Sequence, residues 1–384
     1  MSTDPKATRP LPARPNLRHL KAQAKDLLDA GAASSIADAQ FQIARLYGFV
    51  SWPKLKAHVD GLRGASTDAD AAERDTLVDA IMGFLGAGDD LARGGTRAAL
   101  EREIDLAGSG ALVSLQARLA AATDWDFYAA DPLARRILHL LAEQLVLNDC
   151  SLVGIEHAVA VSGRRVVLVA NHLSYADANL IDVLLQRSGG AALAGRLTAI
   201  AGPKVFSDRL RRFSSLAFGT IKTPQSTNLS SEESVMSARE VAVAARRSID
   251  LARARLTRGD ALLVFPEGRR SRTGALQQML VGAARYLEVP DTWILPVGIA
   301  GSDALFPIGS GALRPVRIVV RMGQPFEVEA LSERAGGDRR LIMDAIGLAI
   351  AELLPKKYQG VYGDEVQDLH RARGLLTEVR LQRS

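Results

Sequence analysis

From Cys150 onward, short β-branched runs alternate with stretches of helical apolar spacing, and this alternation narrows the fold more than any other feature. Val166–Ala170 reads as a strand, Asp177–Gln186 as a helix, and Leu197–Ala201 as a strand. Ser234–Thr257 reads as a long helix stopped by Gly259. Ala261–Phe265 then reads as a strand and Leu276–Leu287 as a helix. Trp293–Ile299 and Val316–Met322 read as strands, and Asp338–Leu354 as a helix. This order predicts an α/β fold, a mainly parallel mixed sheet flanked by helices. Ligands of such sheets sit at the carboxyl ends of the strands.

The residues ahead of this region predict all-α segments. Residues 1–16, with Pro5, Pro10, Pro12 and Pro15, read as a loose tail. Leu17, Leu20, Ala24, Leu27 and Leu28 recur at helical spacing. Ile36–Leu46 predicts a second helix, and Trp52–Leu62 a third, with Ser51 as its N-cap. Residues 61–70 are small and polar and read as a linker. Leu77–Leu85, Arg97–Ile104, Ala111–Ala121 and Pro132–Leu147 predict further helices. Turn signals at Gly86–Gly88, Gly108–Gly110 and Asp131–Pro132 separate them. The expected division is an accessory helical module over 1–65, a helical segment over 66–131 and the α/β domain over 132–384.

Composition removes several classes. Apolar residues at 47% and charged residues at 24% are those of a globular chain, not a disordered one. The single cysteine, Cys150, excludes an intramolecular disulfide framework and a cysteine-rich zinc site, and it fits a reducing cytoplasm. No window reaches the roughly 18 consecutive apolar residues of a spanning helix, and the first residues lack the apolar core of a secretory signal. A cytoplasmic protein, peripheral at the inner face of the membrane at most, is expected. The net charge of +5 suits phosphate-bearing ligands or an anionic membrane surface. Aromatics at only 5% argue against base stacking, so no nucleic-acid partner is expected.

Two loops carry the chemistry. In "VVLVANHLSYAD" an apolar strand ends, Asn171–His172 follow, and a helix begins. His172 and Asp177 are five residues apart, an offset of about 140° on a regular helix, so they would not face each other there. With His172 on the turn, Asp177 in the first helical turn reaches back. Its carboxylate then holds one ring nitrogen and leaves the other as a general base for an alcohol. Ser174-x-x-Asp177 equally fits a capping box that merely starts the helix. In "LLVFPEGRRSRTG" a second strand ends in a turn shaped by Pro266 and Gly268. Glu267 follows the strand, and Arg269, Arg270 and Arg272 cluster where forked, charge-assisted bonds could clamp a phosphate. A solvated basic loop is the plainer reading of such a run.

Together, Asn171-His172-x-x-x-x-Asp177 and, about 90 residues on, Phe265-Pro266-Glu267-Gly268-x-Arg270-Ser271 resemble a known family. It is the glycerol-3-phosphate and lysophosphatidate acyltransferase superfamily. "WILPVGIAGS" at 293–302, with Pro296, and "IMDAIGLAIAELLPKKYQGVY" at 342–362 are similar to later family segments, so the resemblance spans roughly 132–362. The resemblance implies His172 as general base, oriented by Asp177. The acceptor alcohol then attacks an acyl thioester, from acyl-CoA or acyl carrier protein, without a covalent acyl-enzyme. It implies Glu267, Gly268, Arg270 and Ser271 in the acceptor and phosphate site, with Lys222 and Arg272 as further cationic candidates. A thioester is already activated, so neither a metal nor another cofactor is expected.

The chain also departs from the family pattern. Lysophosphatidate enzymes usually carry an arginine shortly after a Gly-x-Ile turn, whereas "FGTIKTPQS" has Gln225 near that point. Lys222, or Lys204, Arg211 and Arg212, would then supply the charge. Arg269 replaces the more usual small hydroxyl residue. "IAGPKVFSDRLRRFSSLAFGTIK" is also similar to soluble, chloroplast-type glycerol-3-phosphate acyltransferases, so the acceptor stays open between the two. Phe206, Leu210, Phe213 and Leu216 share a helical face among Arg209, Arg211 and Arg212. That face could touch anionic lipid reversibly, line an acyl channel, or pack on the sheet. The first residues, "LKAQAKDLLDA" and "ADAQFQIARLYGFVSWPKLKAHV", resemble a helical module at the front of some bacterial ankyrin-repeat proteins. That resemblance implies no chemistry. A serine hydrolase lacks its Gly-x-Ser-x-Gly elbow here, and no phosphate-binding glycine loop of a nucleotide enzyme occurs. The competing class is a catalytically silent lipid- or protein-binding member of the same fold.

Overall fold

A computed structural model describes residues 9–12, 16–85, 90–121, 124–145, 150–224, 236–305, 316–363 and 369–381. Most of the proline-spotted tail, the Gly86–Gly88 turn, Ser234 and Gln225 lie outside them. The chain divides into two units, Met1–Thr76 and Leu77–Ser384.

In the first unit, helices Leu17–Asp29 and Ile36–Leu46 begin where side chains satisfy free backbone amides. Asn16 accepts from the Arg18 N–H, and Ser35 from the Asp38 N–H. Leu20, Ala24, Ile43, Tyr47, Leu55 and Val59 close a small core. The third helix runs over Trp52–Leu85, so residues 61–70 are helical and not the expected linker. The stretch has no proline, the one residue that would break a helix outright. Its glycines cost only about 1 kcal/mol each in a helix.

Among the described residues of the second unit, nine strands form one mixed sheet. They are β1 (Phe127–Tyr128), β2 (Ser151–Val153), β3 (Arg165–Ala170), β4 (Leu197–Ala201), β5 (Gly219–Lys222), β6 (Ala261–Val264), β7 (Thr292–Ala300), β8 (Val319–Met322) and β9 (Phe326–Glu327). Their order is β1-β5-β4-β6-β3-β7-β8-β2, with β9 also on β7. The five central strands, β5, β4, β6, β3 and β7, run parallel, and antiparallel pairs join β1 to β5 and β8 and β9 to β7. Pro296 falls between the stretches of β7 that pair with β8 and with β9, so its missing N–H breaks neither ladder.

Strand alternation sends side chains to two cores. Val167, Val169, Leu262, Val264 and Ile294 pack under helices Ala238–Thr257 and Arg339–Ala351. Val166, Leu168, Leu263, Leu295 and Val297 pack against helix Asp177–Arg187. A third, all-helical core joins Leu77, Leu100, Leu115 and Ile137 to Phe213 and Leu216.

Two local expectations are corrected. Leu276–Leu287 is not an α-helix. Residues 276–280 form no regular element, and a 3₁₀ helix covers Val281–Tyr286. The backbone amides there are taken by tertiary partners: Leu276 N–H by Tyr358 O, Gln277 N–H by Glu267, Met279 N–H by the Tyr362 hydroxyl and Leu280 N–H by Pro266 O. The 205–218 stretch holds only a seven-residue helix, Arg209–Ser215, and its apolar face turns inward. Phe213 and Leu216 are buried, and Arg212 donates to the carbonyls of Ala121 and Arg118.

Candidate active site

β6, β3 and β7 are parallel neighbours, so the loops leaving their carboxyl ends meet at one edge. Asn171, the first residue past β3, clips two of them together. Its buried amide donates to Ile299 O and accepts from Ile299 N–H. His172 follows on the turn, and Asp177 opens the helix Asp177–Arg187. His172 Nδ1 lies 2.9 Å from Asp177 Oδ2.

The same oxygen also accepts the Leu173 and Ser174 amides, at 2.7 and 2.8 Å. It therefore acts as an acceptor throughout, which puts the proton on Nδ1 and leaves Nε2 with a free lone pair. Nε2 has no hydrogen-bond partner among the described residues, and the side chain is 17% exposed. The carboxylate is wholly buried, in the first turn of a helix whose amide dipoles favour negative charge. One carboxylate oxygen thus meets both the His172 ring and the turn amides. Asp177 reaches back to the Ser174 amide as in a capping box, although the N-cap is Ala176 and Ser174 bonds the Ala176 amide instead.

The β6 loop locks onto this turn. Phe265 stacks on the His172 ring, with centroids 4.2 Å apart. Glu267 is 2% exposed, and its two oxygens accept the amides of His172 and Gln277, each at 2.8 Å. The Ser271 amide donates to His172 O, and the Ser271 hydroxyl to Ala275 O. Gly268 adopts a φ of +72°, which turns the chain between these contacts. Arg270 lies over the Tyr175 ring at 3.9 Å, and Arg211, from the short helix, over the same ring at 4.7 Å. Two guanidiniums are thereby brought to one tyrosine of the His172 turn. Arg269 and Arg272 are exposed.

Lys222 stands apart. It ends β5, three strands from β3, or about 14 Å across the sheet. Its Nζ sits over Trp125 at 4.6 Å and Phe206 at 5.3 Å. Burial lowers the pKa of its ammonium, against the opposing charge of Asp124. Gln225 lies outside the described residues.

Burial pushes the Glu267 carboxyl up to about 7, against the two amides that favour its ionised form. A carboxyl raised from an ordinary 4.5 favours the fold when protonated, and that contribution disappears as pH rises through about 7. Between pH 5 and 8 the wild type should lose up to about 3 kcal/mol more unfolding free energy than Glu267→Gln. Denaturant titrations of both proteins at the two pH values measure this. A parallel pH dependence in the two would assign the slope to other groups.

Sequence reasoning passed over Ser302, whose hydroxyl donates to Asp177 Oδ1 at 2.6 Å, and Tyr175, which gathers the two arginines. Tyr175 stood inside the first motif; nothing in the sequence linked Ser302 to Asp177, 125 residues before it. Among the described residues, no group of three or more His, Cys, Asp or Glu is placed to hold a metal ion.

Residues 152–300 match the acyltransferase family model. The acyltransferase match begins in β2 and ends with β7, so it contains both loops and the His172–Asp177 pair but not Ser302. Among solved structures, the chain is similar to that of the 1-acyl-sn-glycerophosphate (LPA) acyltransferase PlsC from Thermotoga maritima. The two are 19% identical, with a TM-score of 0.36, over 57% of this chain and 76% of that one. No curated protein is significantly similar. No helix among the described residues is long and apolar enough to cross a membrane.

Proposed function

We propose that this protein is an O-acyltransferase that moves a fatty acyl group from an acyl thioester to a hydroxyl of a phosphorylated glycerol. The observation that carries the reading is the buried carboxylate of Asp177 on His172 Nδ1, with Nε2 left free of partners. An alcohol is a poor nucleophile at neutral pH, and a positioned base contributes about 10²–10⁴-fold. In this reading Nε2 takes the acceptor's hydroxyl proton as its oxygen attacks the thioester carbonyl. The imidazolium is stabilised by the Asp177 carboxylate. Collapse of the tetrahedral intermediate breaks the C–S bond, and the thiolate leaves with the proton from Nε2. The products are an ester and a free thiol, and His172 is neutral again.

The arginines support a phosphorylated acceptor. Arg270 and Arg211 hold fixed directions against Tyr175, three residues from His172, and planar guanidiniums suit phosphate oxygens. Glu267 contributes differently in this reading. It braces the two loops through their backbone and leaves the phosphate to the cations.

The test offers glycerol 3-phosphate, lysophosphatidate and unphosphorylated glycerol separately, with acyl-CoA or acyl carrier protein as donor. A phosphorylated acceptor should be used at least tenfold more efficiently than glycerol. Arg270→Ala should raise that acceptor's KM about tenfold or more, with kcat changed far less. Equal use of glycerol would remove the phosphate from the reading. Phospholipid binding without turnover of any donor would favour the silent lipid-binding alternative.

A further inference from the structure

We propose that Ser302 is a positioning residue of this site: its hydroxyl fixes the Asp177 carboxylate so that Oδ2 faces His172 and Nε2 is held as the base. The kinetic consequences rest on the acyl-transfer reading; the effect on the histidine ring does not.

The bonds on the carboxylate are unequal. Oδ2 accepts three, from His172 Nδ1, Leu173 N–H and Ser174 N–H. Among the described residues Oδ1 accepts one, from Ser302 at 2.6 Å. Asp177 and Ser302 are both fully buried, so water does not replace a missing donor there. Without the hydroxyl, Oδ1 becomes a buried charged oxygen with no partner. The carboxylate then gains by turning about its own bond to share donors between its oxygens, and Oδ2 no longer has a fixed direction toward the ring.

Ser302 is itself held on several sides. β7 runs parallel to β3, so its end arrives beside the His172 turn. The chain bends at Gly301, with φ +97°, where a Cβ would lie 2.3 Å from Arg317 O. The 3₁₀ turn Ser302–Ala304 follows. Its Asp303 accepts the Tyr358 hydroxyl at 2.9 Å, and Tyr358 O accepts the Leu276 amide. Burial, with Asp303 adjacent, pushes the Tyr358 phenol up to about 12, so it remains a donor at neutral pH. The carboxyl-terminal segment thus anchors the turn that carries Ser302.

The test is a double-variant cycle with a spectroscopic readout. Ser302→Ala should lower kcat about ten- to hundredfold, with donor and acceptor KM little changed. In an Asp177→Asn background the same substitution should lower kcat less than about twofold, because the charge it positions is gone. Histidine ¹⁵N shifts should report the single Nδ1–H tautomer for His172 in the wild type and a mixture in Ser302→Ala. Should the alanine variant not fold, a second pair carries the test. Ser302→Thr keeps the hydroxyl and should retain the wild-type tautomer, and Ser302→Cys, a weak donor, should lose it. Multiplicative kcat losses in the double variant, or an unchanged tautomer in Ser302→Ala, would overturn the assignment. If the wild type turns over no acyl thioester, the acyl-transfer reading fails, and the ¹⁵N shifts alone decide the role of Ser302.

Discussion

Replacing His172 with alanine is expected to lower kcat by about 10²–10⁴-fold while leaving the unfolding midpoint and the donor KM close to wild type. The two halves of this expectation have separate causes. The backbone of His172 ties the loops together, its N–H on Glu267 and its carbonyl on Ser271, and alanine keeps both bonds. Its side chain contributes one hydrogen bond and a stack on Phe265, and it is partly exposed. Asp177 keeps Leu173, Ser174 and Ser302 as donors when the ring is gone. Initial rates beside thermal unfolding measure both quantities. Loss of folded protein with full activity per folded molecule would make His172 a structural residue.

Asp177→Asn is expected to cost about 10²–10³-fold in kcat, more than any change in donor affinity. The substitution preserves shape and most bonds. The two backbone amides on Oδ2 favour the asparagine carbonyl oxygen at that place, and its NH₂ then donates to a Ser302 hydroxyl that turns to accept. What is lost is the negative charge that stabilises His172 once it has taken a proton. The fold should therefore survive while turnover falls, a split read by denaturation beside steady-state kinetics. A variant that keeps wild-type kcat would show that the charge of Asp177 plays no part in the proton transfer.

Much of this architecture was legible because its elements are long or strictly patterned. β3, β4, β6 and β7 are apolar runs bounded by turn residues, and β4 spans the residues its pattern predicts. The long helix begins at Ala238, immediately after Ser237, which forms a full capping box with Glu240, and four residues past the expected start at Ser234. β1, β2 and β9 were not legible, since two or three residues carry no period, and β5, as short as β6, lacks the unbroken apolar run of β6; pairing with distant strands defines them. Leu276–Leu287 misled because its apolar spacing is helical while its amides are spent on Tyr358, Glu267, Tyr362 and Pro266. The linker expected at 61–70 misled through its small and polar residues, which, with no proline among them, do not prevent a helix.

The site divides in the same way. The residues within one loop, His172 with Asp177 and Glu267 through Ser271, stand in the sequence as motifs, because local turn geometry sets their spacing. Partners from other loops do not. Arg211 against Tyr175, and Ser302 against Asp177, depend on strand order, which no short-range pattern encodes. Glu267 was visible as a residue of the second motif, whereas its burial against two backbone amides is a tertiary property that no motif shows.

Transfer of an acyl group to an alcohol through His172 is tested by counting both products in one reaction. Purified protein would be given palmitoyl- or oleoyl-CoA, or the matching acyl carrier protein, with and without a phosphorylated glycerol acceptor. Free thiol and acyl ester would be measured together, with His172→Ala in parallel. Acceptor-dependent release, one ester for each thiol, and loss of both in the variant are expected. Thiol released without ester, or equal release by His172→Ala, would contradict that transfer.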